Sequence, residues 1–192
     1  MDRRNFLKVA CGTALNGALV AGGSALILRP AGATAPVAPA TPPMRDAKLL
    51  SLVNTHTGDT FADAYWEGGA YIPDAMAAID HVMRDHRSGE VHAIDPGLLD
   101  LLHTLKTNVG ASAPFQIISG YRSPATNATL HARSNGVATR SLHMDGRAID
   151  IRVAGIDLAG LRDAAIALQS GGVGYYEASD FIHVDTGRVR RW

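Results

Sequence analysis

The chain has almost no cysteine. Its single one, Cys11, sits inside an N-terminal segment that reads as a targeting signal. The remainder of the chain therefore has no thiol with which to form a disulfide, a thiolate nucleophile or a cysteine-ligated zinc. Charge of one sign is also missing. Lys and Arg total 18, Asp and Glu total 18, and the net charge is zero with histidines neutral. That balance gives no electrostatic footprint for nucleic acid, and the short basic stretch "RVRRW" is too small to supply one. There is no HExxH helix, no GxSxG elbow, no phosphate-cradling glycine loop and no internal repeat. Any metal must be held by histidines and carboxylates.

The first residues carry address information. Arg3 and Arg4 precede Phe6, Leu7 and Lys8, then an uncharged run from Val9 to Leu28, then the small residues of "AGATA". A basic start, an apolar run and small residues describe an export signal, and the paired arginines resemble a twin-arginine (Tat) signal. Residues 1–33 are read as that signal, with cleavage after Ala33 or Ala35. The run is also long enough to span a bilayer, so an uncleaved anchor is the alternative and the one route to a membrane. Residues 34–47 are read as a linker, because "PAGATAPVAPATPP" has little to bury.

From Lys48 the pattern is that of one globular domain. "LLSLVNTHTGDTF" predicts a hairpin turning at "HTGD". "IPDAMAAIDHVMRDHR" predicts a helix with Ile72, Met76, Ile79 and Met83 on one face. It also puts His81 and His86 on a solvated face near Asp85. "DPGLLDLLHTLKTNVG" predicts a helix capped by Asp95, opened by Pro96 and stopped near Gly110, with Leu98, Leu101, Leu102 and Leu105 as its stripe. "FQIISGYRSP" reads as a strand ending in a loop, "PATNATLHARS" as a helix, and "IDLAGLRDAAIALQS" as a helix starting at Asp157. "RAIDIRV" alternates, with Ile149, Ile151 and Val153 against Ala148, Asp150 and Arg152. "GGVGYY" and "FIHVDTG" read as paired strands around "EASD", the glycines allowing close strand packing. Strands both interleave with helices and pair locally, so the class is α+β.

One stretch, "SLHMDGRAID", raises a chemical question. Fully extended, the seven residues from His143 to Asp150 would span roughly 23 Å at about 3.3 Å each. Ligands of one zinc lie about 2 Å from it, so a shared site requires the chain to double back. "MDG" offers the reversal, with Gly146 free to take positive φ. Asp150 then lies opposite the core-facing isoleucines. "DFIHVD" offers a third ligand. His183 shares a strand face with Phe181 and Asp185, and pairing next to "RAIDIRV" would set it beside Asp150. Two imidazoles and one carboxylate leave an open position on zinc, the arrangement of a catalytic site. Taken singly, each of these residues reads as a hydrogen-bonded structural group. His56, His81, His86, His92, His103 and His131 have no partners at ligand spacing.

"SLHMDGRAID" with "FIHVD" resembles the signature of the zinc D-Ala-D-Ala metallopeptidase group, which shares the hedgehog and lysostaphin-type fold. Within it, "LVNTHTGD", "DHR", "SGYRSP", "GGVGYY" and "HVDTGRVRRW" resemble the export-signal-bearing murein endopeptidase branch, over nearly all of residues 48–192. The resemblance implies a single hedgehog/DD-peptidase-like domain with a small central antiparallel sheet flanked by helices. It implies zinc on His143, Asp150 and His183. It implies a periplasmic, monomeric hydrolase of peptidoglycan stem peptides and cross-links, acting as an endopeptidase. A D,D-carboxypeptidase trimming D-Ala and a non-catalytic, zinc-holding wall-peptide module are the alternatives. In the group's carboxypeptidases the general base lies three positions before the last histidine, which is Asp180 here. Asp185, on the strand face of His183, is the rival as base or as orienter of that histidine. Glu177 is a weaker third choice. Arg122 in "SGYRSP" resembles the group's arginine, which binds substrate or stabilises developing negative charge. Ser141 borders the same stretch without an assigned role.

Overall fold

The alternating segment "AIDIRV" forms a strand in the middle of a sheet, with the chain on either side of it arranged to bury its isoleucines. The protein is described by a computed structural model, which covers residues 46–134 and 137–192. The expected signal and nearly all of the expected linker lie outside the described residues. Ala47, assigned to the linker from its composition, is the first residue of a strand.

The hairpin forms where the "HTGD" turn predicts it. Strand β1 (Ala47–Asn54) pairs antiparallel with β2 (Thr60–Glu67), and a two-residue strand β3 (Ala70–Tyr71) adds to the far edge of β2. Helix α1 (Pro73–Val82) opens on proline at its first position, where the missing N–H is harmless. Helix α2 (Pro96–Asn108) is capped by the Asp95 carboxylate, which accepts the Gly97 amide. Then follow β4 (Phe115–Ser119), α3 (Pro124–Arg133), β5 (Ala148–Val153), α4 (Leu158–Ala167), β6 (Gly172–Tyr176), β7 (Phe181–Asp185) and the short β8 (Arg190–Arg191).

All eight strands join one sheet in the order β3-β2-β1-β4-β5-β7-β6-β8. The class is α+β, as expected. The sheet is antiparallel except at two pairings, β1 with β4 and β6 with β8. The helical segment between β1 and β4 explains the first of these, since parallel neighbours need a crossover connection. Ile149 and Ile151 of β5 and Ile182 and Val184 of β7 are buried against the helices. Each such side chain contributes about 1.5–3 kcal/mol through burial. Among the described residues no helix is long and apolar enough to cross a membrane.

Two helices differ from their periodic patterns in ways that matter for the site. Helix α2 buries Leu98, Leu99, Leu102 and Leu105, while Leu101 is only partly covered. Helix α1 stops at Val82 instead of running through Arg87. The chain there is held by tertiary hydrogen bonds. The Met83 carbonyl accepts the Tyr121 amide at 2.7 Å, and a Cβ on Gly120 would collide with that same carbonyl. Asp85, expected near a solvated face, is buried and accepts the backbone amide of Ser123. His86 leaves the helix altogether and stacks on His56 with ring centroids 3.7 Å apart. Burial first, then the charges of Arg87 and His56, lower the His86 pKa to about 4. The loop around residue 85 thus fastens the loop that presents Arg122.

Candidate functional site

Strand phase and register place the first pair. Asp150 and His183 are direct cross-strand partners of β5 and β7. Ile151 and Ile182, one residue away, pair on the opposite face and are fully buried. A shift of one residue would exchange the faces, so hydrophobic burial enforces the register that joins the carboxylate to the imidazole.

His143 arrives by a different route. A single 3-10 turn, Leu142–Asp145, ends on Gly146 at φ 65°, and β5 begins two residues later. A Cβ at residue 146 would meet the Ala93 carbonyl, so glycine is required there by space as well as by conformation. The His143 segment and the Arg122 loop are tied by two hydrogen bonds in opposite senses. The Arg122 amide donates to the His143 carbonyl at 3.1 Å, and His143 Nδ1 donates to the Gly120 carbonyl at 2.7 Å.

These constraints decide which ring nitrogens are free. A carbonyl only accepts, so His143 Nδ1 carries its proton and Nε2 is left bare. His183 Nε2 lies 2.9 Å from the Asp185 carboxylate, so its Nδ1 faces inward. Inside the site, His183 Nδ1 is 2.9 Å from Asp150 Oδ1, His143 Nε2 is 3.3 Å from the same oxygen, and the two inner nitrogens are 3.2 Å apart. With neutral imidazoles, three lone-pair donors converge without a proton among them. All three residues are buried. That arrangement demands a positive charge at its centre, either a proton or a metal ion. Tetrahedral zinc ligands at about 2.0–2.1 Å from the ion sit roughly 3.4 Å from each other. The donor set and its spacing therefore fit zinc, and each histidine has the outer hydrogen bond that ligating imidazoles characteristically make.

The electrostatics agree. Burial works to raise the Asp150 carboxyl, but where protons on the imidazoles supply the central charge, the His143 charge and hydrogen bonds from His143 and His183 outweigh it and hold the group well below the ordinary carboxylate range. Burial disfavours charge on His183, yet its bonds to Asp150 and Asp185 prevail and raise its pKa.

The remaining expected residues fall in three places. Asp185 is completely buried and faces the outer nitrogen of His183, away from the converging donors. Burial raises its pKa, but hydrogen bonds from His183, Arg190 and the Gly187 and Gly172 amides outweigh this and lower it. Arg122 lies against the trio, with Nη2 3.8 Å from Asp150 Oδ2 and 3.3 Å from Ser119 Oγ. Its Nε is buried without a partner, a donor still unspent. Asp180 sits at the rim. Its carboxylate pairs with Arg152 Nη1 at 2.7 Å; the Asp180 side chain is largely exposed and that of Arg152 partly buried. Arg152 is on the Asp150 face of β5, so Asp180 stands beside the trio's face but does not line its cleft. Its backbone is left-handed at φ 53°, a conformation rare outside glycine and one that aspartate tolerates. Glu177 is exposed in the 3-10 turn before it.

The trio forms the floor of an open cleft of about 450 Å³. Arg122, Arg140 and Arg190 line it, with Ser141, Tyr176, Phe181 and Trp192, and among the described residues no acid beyond Asp150 does. Arg140, Arg190, Tyr176 and Trp192 were not singled out from the sequence. They lie at no periodic spacing from the ligands. The one local signal was the glycine content of "GGVGYY", where a Cβ on Gly174 would come within 2.7 Å of the Trp192 indole.

Comparison with known proteins gives a consistent result. Residues 43–192 match the peptidase family described as peptidoglycan L,D-endopeptidase MepK. Over 173 residues the chain is 44% identical to the peptidoglycan L,D-endopeptidase MepK of Escherichia coli K12, covering 90% of this chain and 91% of that protein. It is 41% identical over 146 residues to a Haemophilus influenzae protein named "Probable peptidoglycan L,D-endopeptidase MepK", covering 76% of this chain and 78% of that one.

Proposed function

Because this chain belongs to the peptidoglycan L,D-endopeptidase MepK family, a family of peptidases, we propose that it is an exported, zinc-dependent murein endopeptidase that hydrolyses amide bonds in peptide cross-links. One observation carries the zinc reading: three buried donor atoms converge within 3.3 Å of each other with their protons turned outward. His143, Asp150 and His183 hold the ion. When bound, zinc supplies Lewis-acid polarisation of the scissile carbonyl and acidification of the attacking water.

The protein's own groups do the rest. Asp185 holds the His183 ring with its inner nitrogen toward the site, and it is too enclosed to exchange protons with a substrate. Asp180 is the general base. It takes the proton of the attacking water and delivers it to the leaving amine. Its exposed pairing with Arg152 is worth about 0–1 kcal/mol, so the carboxylate is free to turn into the cleft when substrate arrives. Arg122 faces the negative charge that develops on the carbonyl oxygen. The arginine-lined cleft suits stem peptides, which carry free carboxylates.

Of the two cross-links such an enzyme could open, an L,D specificity selects the one between two diaminopimelate residues. A bond from D-Ala to diaminopimelate would present a D-configured acyl group instead. Export by the twin-arginine route to the periplasm, on Arg3, Arg4 and the apolar run after them, completes the proposal. The test is digestion of purified sacculi with zinc-loaded protein, followed by separation of the muropeptides. Cross-linked dimers should disappear. Release of free D-Ala from monomers would assign a D,D-carboxypeptidase, and zinc binding without turnover would assign a wall-peptide module.

A further inference from the structure

Arg190, in β8, lines the cleft and is also built into the back of the site. Its guanidinium grips the Asp185 carboxylate at both oxygens, Nη1 to Oδ1 at 3.0 Å and Nη2 to Oδ2 at 2.7 Å. Oδ1 also accepts the Gly172 and Gly187 amides, at 3.1 and 2.8 Å. Oδ2 is the oxygen that faces His183 Nε2 at 2.9 Å. The direction of His183 Nδ1 thus depends on where Oδ2 is held, and among the described residues Arg190 is the side chain besides His183 that holds it. A guanidinium fork fixes a carboxylate in its plane, which a single ammonium cannot do.

Arg190 is itself braced. Its guanidinium lies over the Trp192 ring, 4.9 Å from the centroid. Trp192 is threaded onto β6, with its amide donating to the Val173 carbonyl and its carbonyl accepting the Tyr175 amide. Its indole N–H donates to the Tyr176 hydroxyl at 2.9 Å. Two glycines of β6 make the room. A Cβ on Gly172 would crowd the Arg190 guanidinium and the Asp185 carboxylate, and one on Gly174 would strike the indole.

We propose that Arg190 is a positioning residue of the metal centre, which acts by clamping Asp185 so that Asp185 aims His183. This rests on the reading of His143, Asp150 and His183 as the zinc site. The test compares wild type, Arg190→Gln and Arg190→Lys in the full chain. Zinc affinity is measured by competition with a chelating indicator, metal-free stability by urea unfolding, and turnover on muropeptide dimers as separate kcat and KM. Loss of an outer partner of a ligand weakens metal binding about 10–100-fold. Arg190 stands one bond further out than Asp185, so Arg190→Gln should fall at the lower end of that range, about tenfold, and lower kcat. Arg190→Lys should show a smaller but clear loss of zinc affinity. Unchanged affinity in folded Arg190→Gln would overturn the proposal, even if metal-free stability dropped. Should Arg190→Gln fail to fold, wild-type affinity in Arg190→Lys would overturn it equally. Wild-type protein that takes up no zinc would instead sink the zinc reading itself.

Discussion

Asp150 and His183 face each other directly across β5 and β7, with Oδ1 2.9 Å from Nδ1, and the fully buried isoleucine pair beside them locks that register. Removing the carboxylate therefore removes a ligand without disturbing the core. Asp150→Ala should fold but lose zinc and turnover together. Thermal unfolding with and without added zinc checks this. A ligand at about 1,000 times its Kd stabilises by about 4 kcal/mol, so zinc should raise the wild-type Tm and leave that of the variant unmoved.

Asp180 is expected to act on protons and not on the metal. Asp180→Asn should keep zinc at full affinity and lower kcat by about 10²–10⁴, the usual contribution of a positioned acid–base group. Arg152→Ala frees the same carboxylate from its exposed ion pair. It should change stability by less than about 1 kcal/mol and spare most activity. An Asp180→Asn enzyme as fast as wild type would remove Asp180 from the mechanism.

Asp85 links the acid limb of stability to the Arg122 loop. Burial raises its pKa, but hydrogen bonds from Thr126, the Arg87 and Ser123 amides and the Ser123 hydroxyl outweigh this and lower it. A carboxyl depressed in the folded state stabilises the protein above the ordinary range near pH 4. That contribution is lost as pH falls through and below that range. Asp85→Asn should cost about 1.5–3 kcal/mol at pH 7, as loss of charged hydrogen bonds does. It should also flatten the fall in stability between about pH 5 and pH 2. Urea midpoints across that range measure both effects.

Gly174→Ala tests the close approach of β6 to Trp192. The added Cβ would sit 2.7 Å from an indole held by its own hydrogen bond and by the Arg190 charge. Overpacking of this kind costs about 1–3 kcal/mol. The variant should be less stable and should show altered Trp192 fluorescence. Gly155→Ala is the contrasting control. A Cβ there meets nothing, so any loss comes from the left-handed backbone at φ 80° alone.

Much of the site was legible because it depends on short-range pattern. Alternation over 148–153 and 181–185 assigned Asp150 and His183 to one kind of face, and "MDG" marked the reversal before them. The capping residues Asp95 and Asp157 announced two helix starts in the same local way. The early end of α1 was not legible. Its apolar spacing continues through Met83, and the backbone leaves the helix because Tyr121 and Ser123, far along the chain, take the hydrogen bonds of residues 83 and 85.

By itself, the sequence determined which residue types lay on which face, where the chain turned, and that beyond the N-terminal segment holding Cys11 only histidine and carboxylate were available to hold a metal. Periodicity and the conformational limits of glycine and proline act within a few residues, so they are written into the chain directly. Only the tertiary structure decided which nitrogen of each histidine faces inward, that Asp185 backs His183, that Asp180 rests on Arg152, and that Arg190 and Trp192 close around the site. Those outcomes depend on the direction of side chains from distant strands and on the space their neighbours leave. No local pattern records either one.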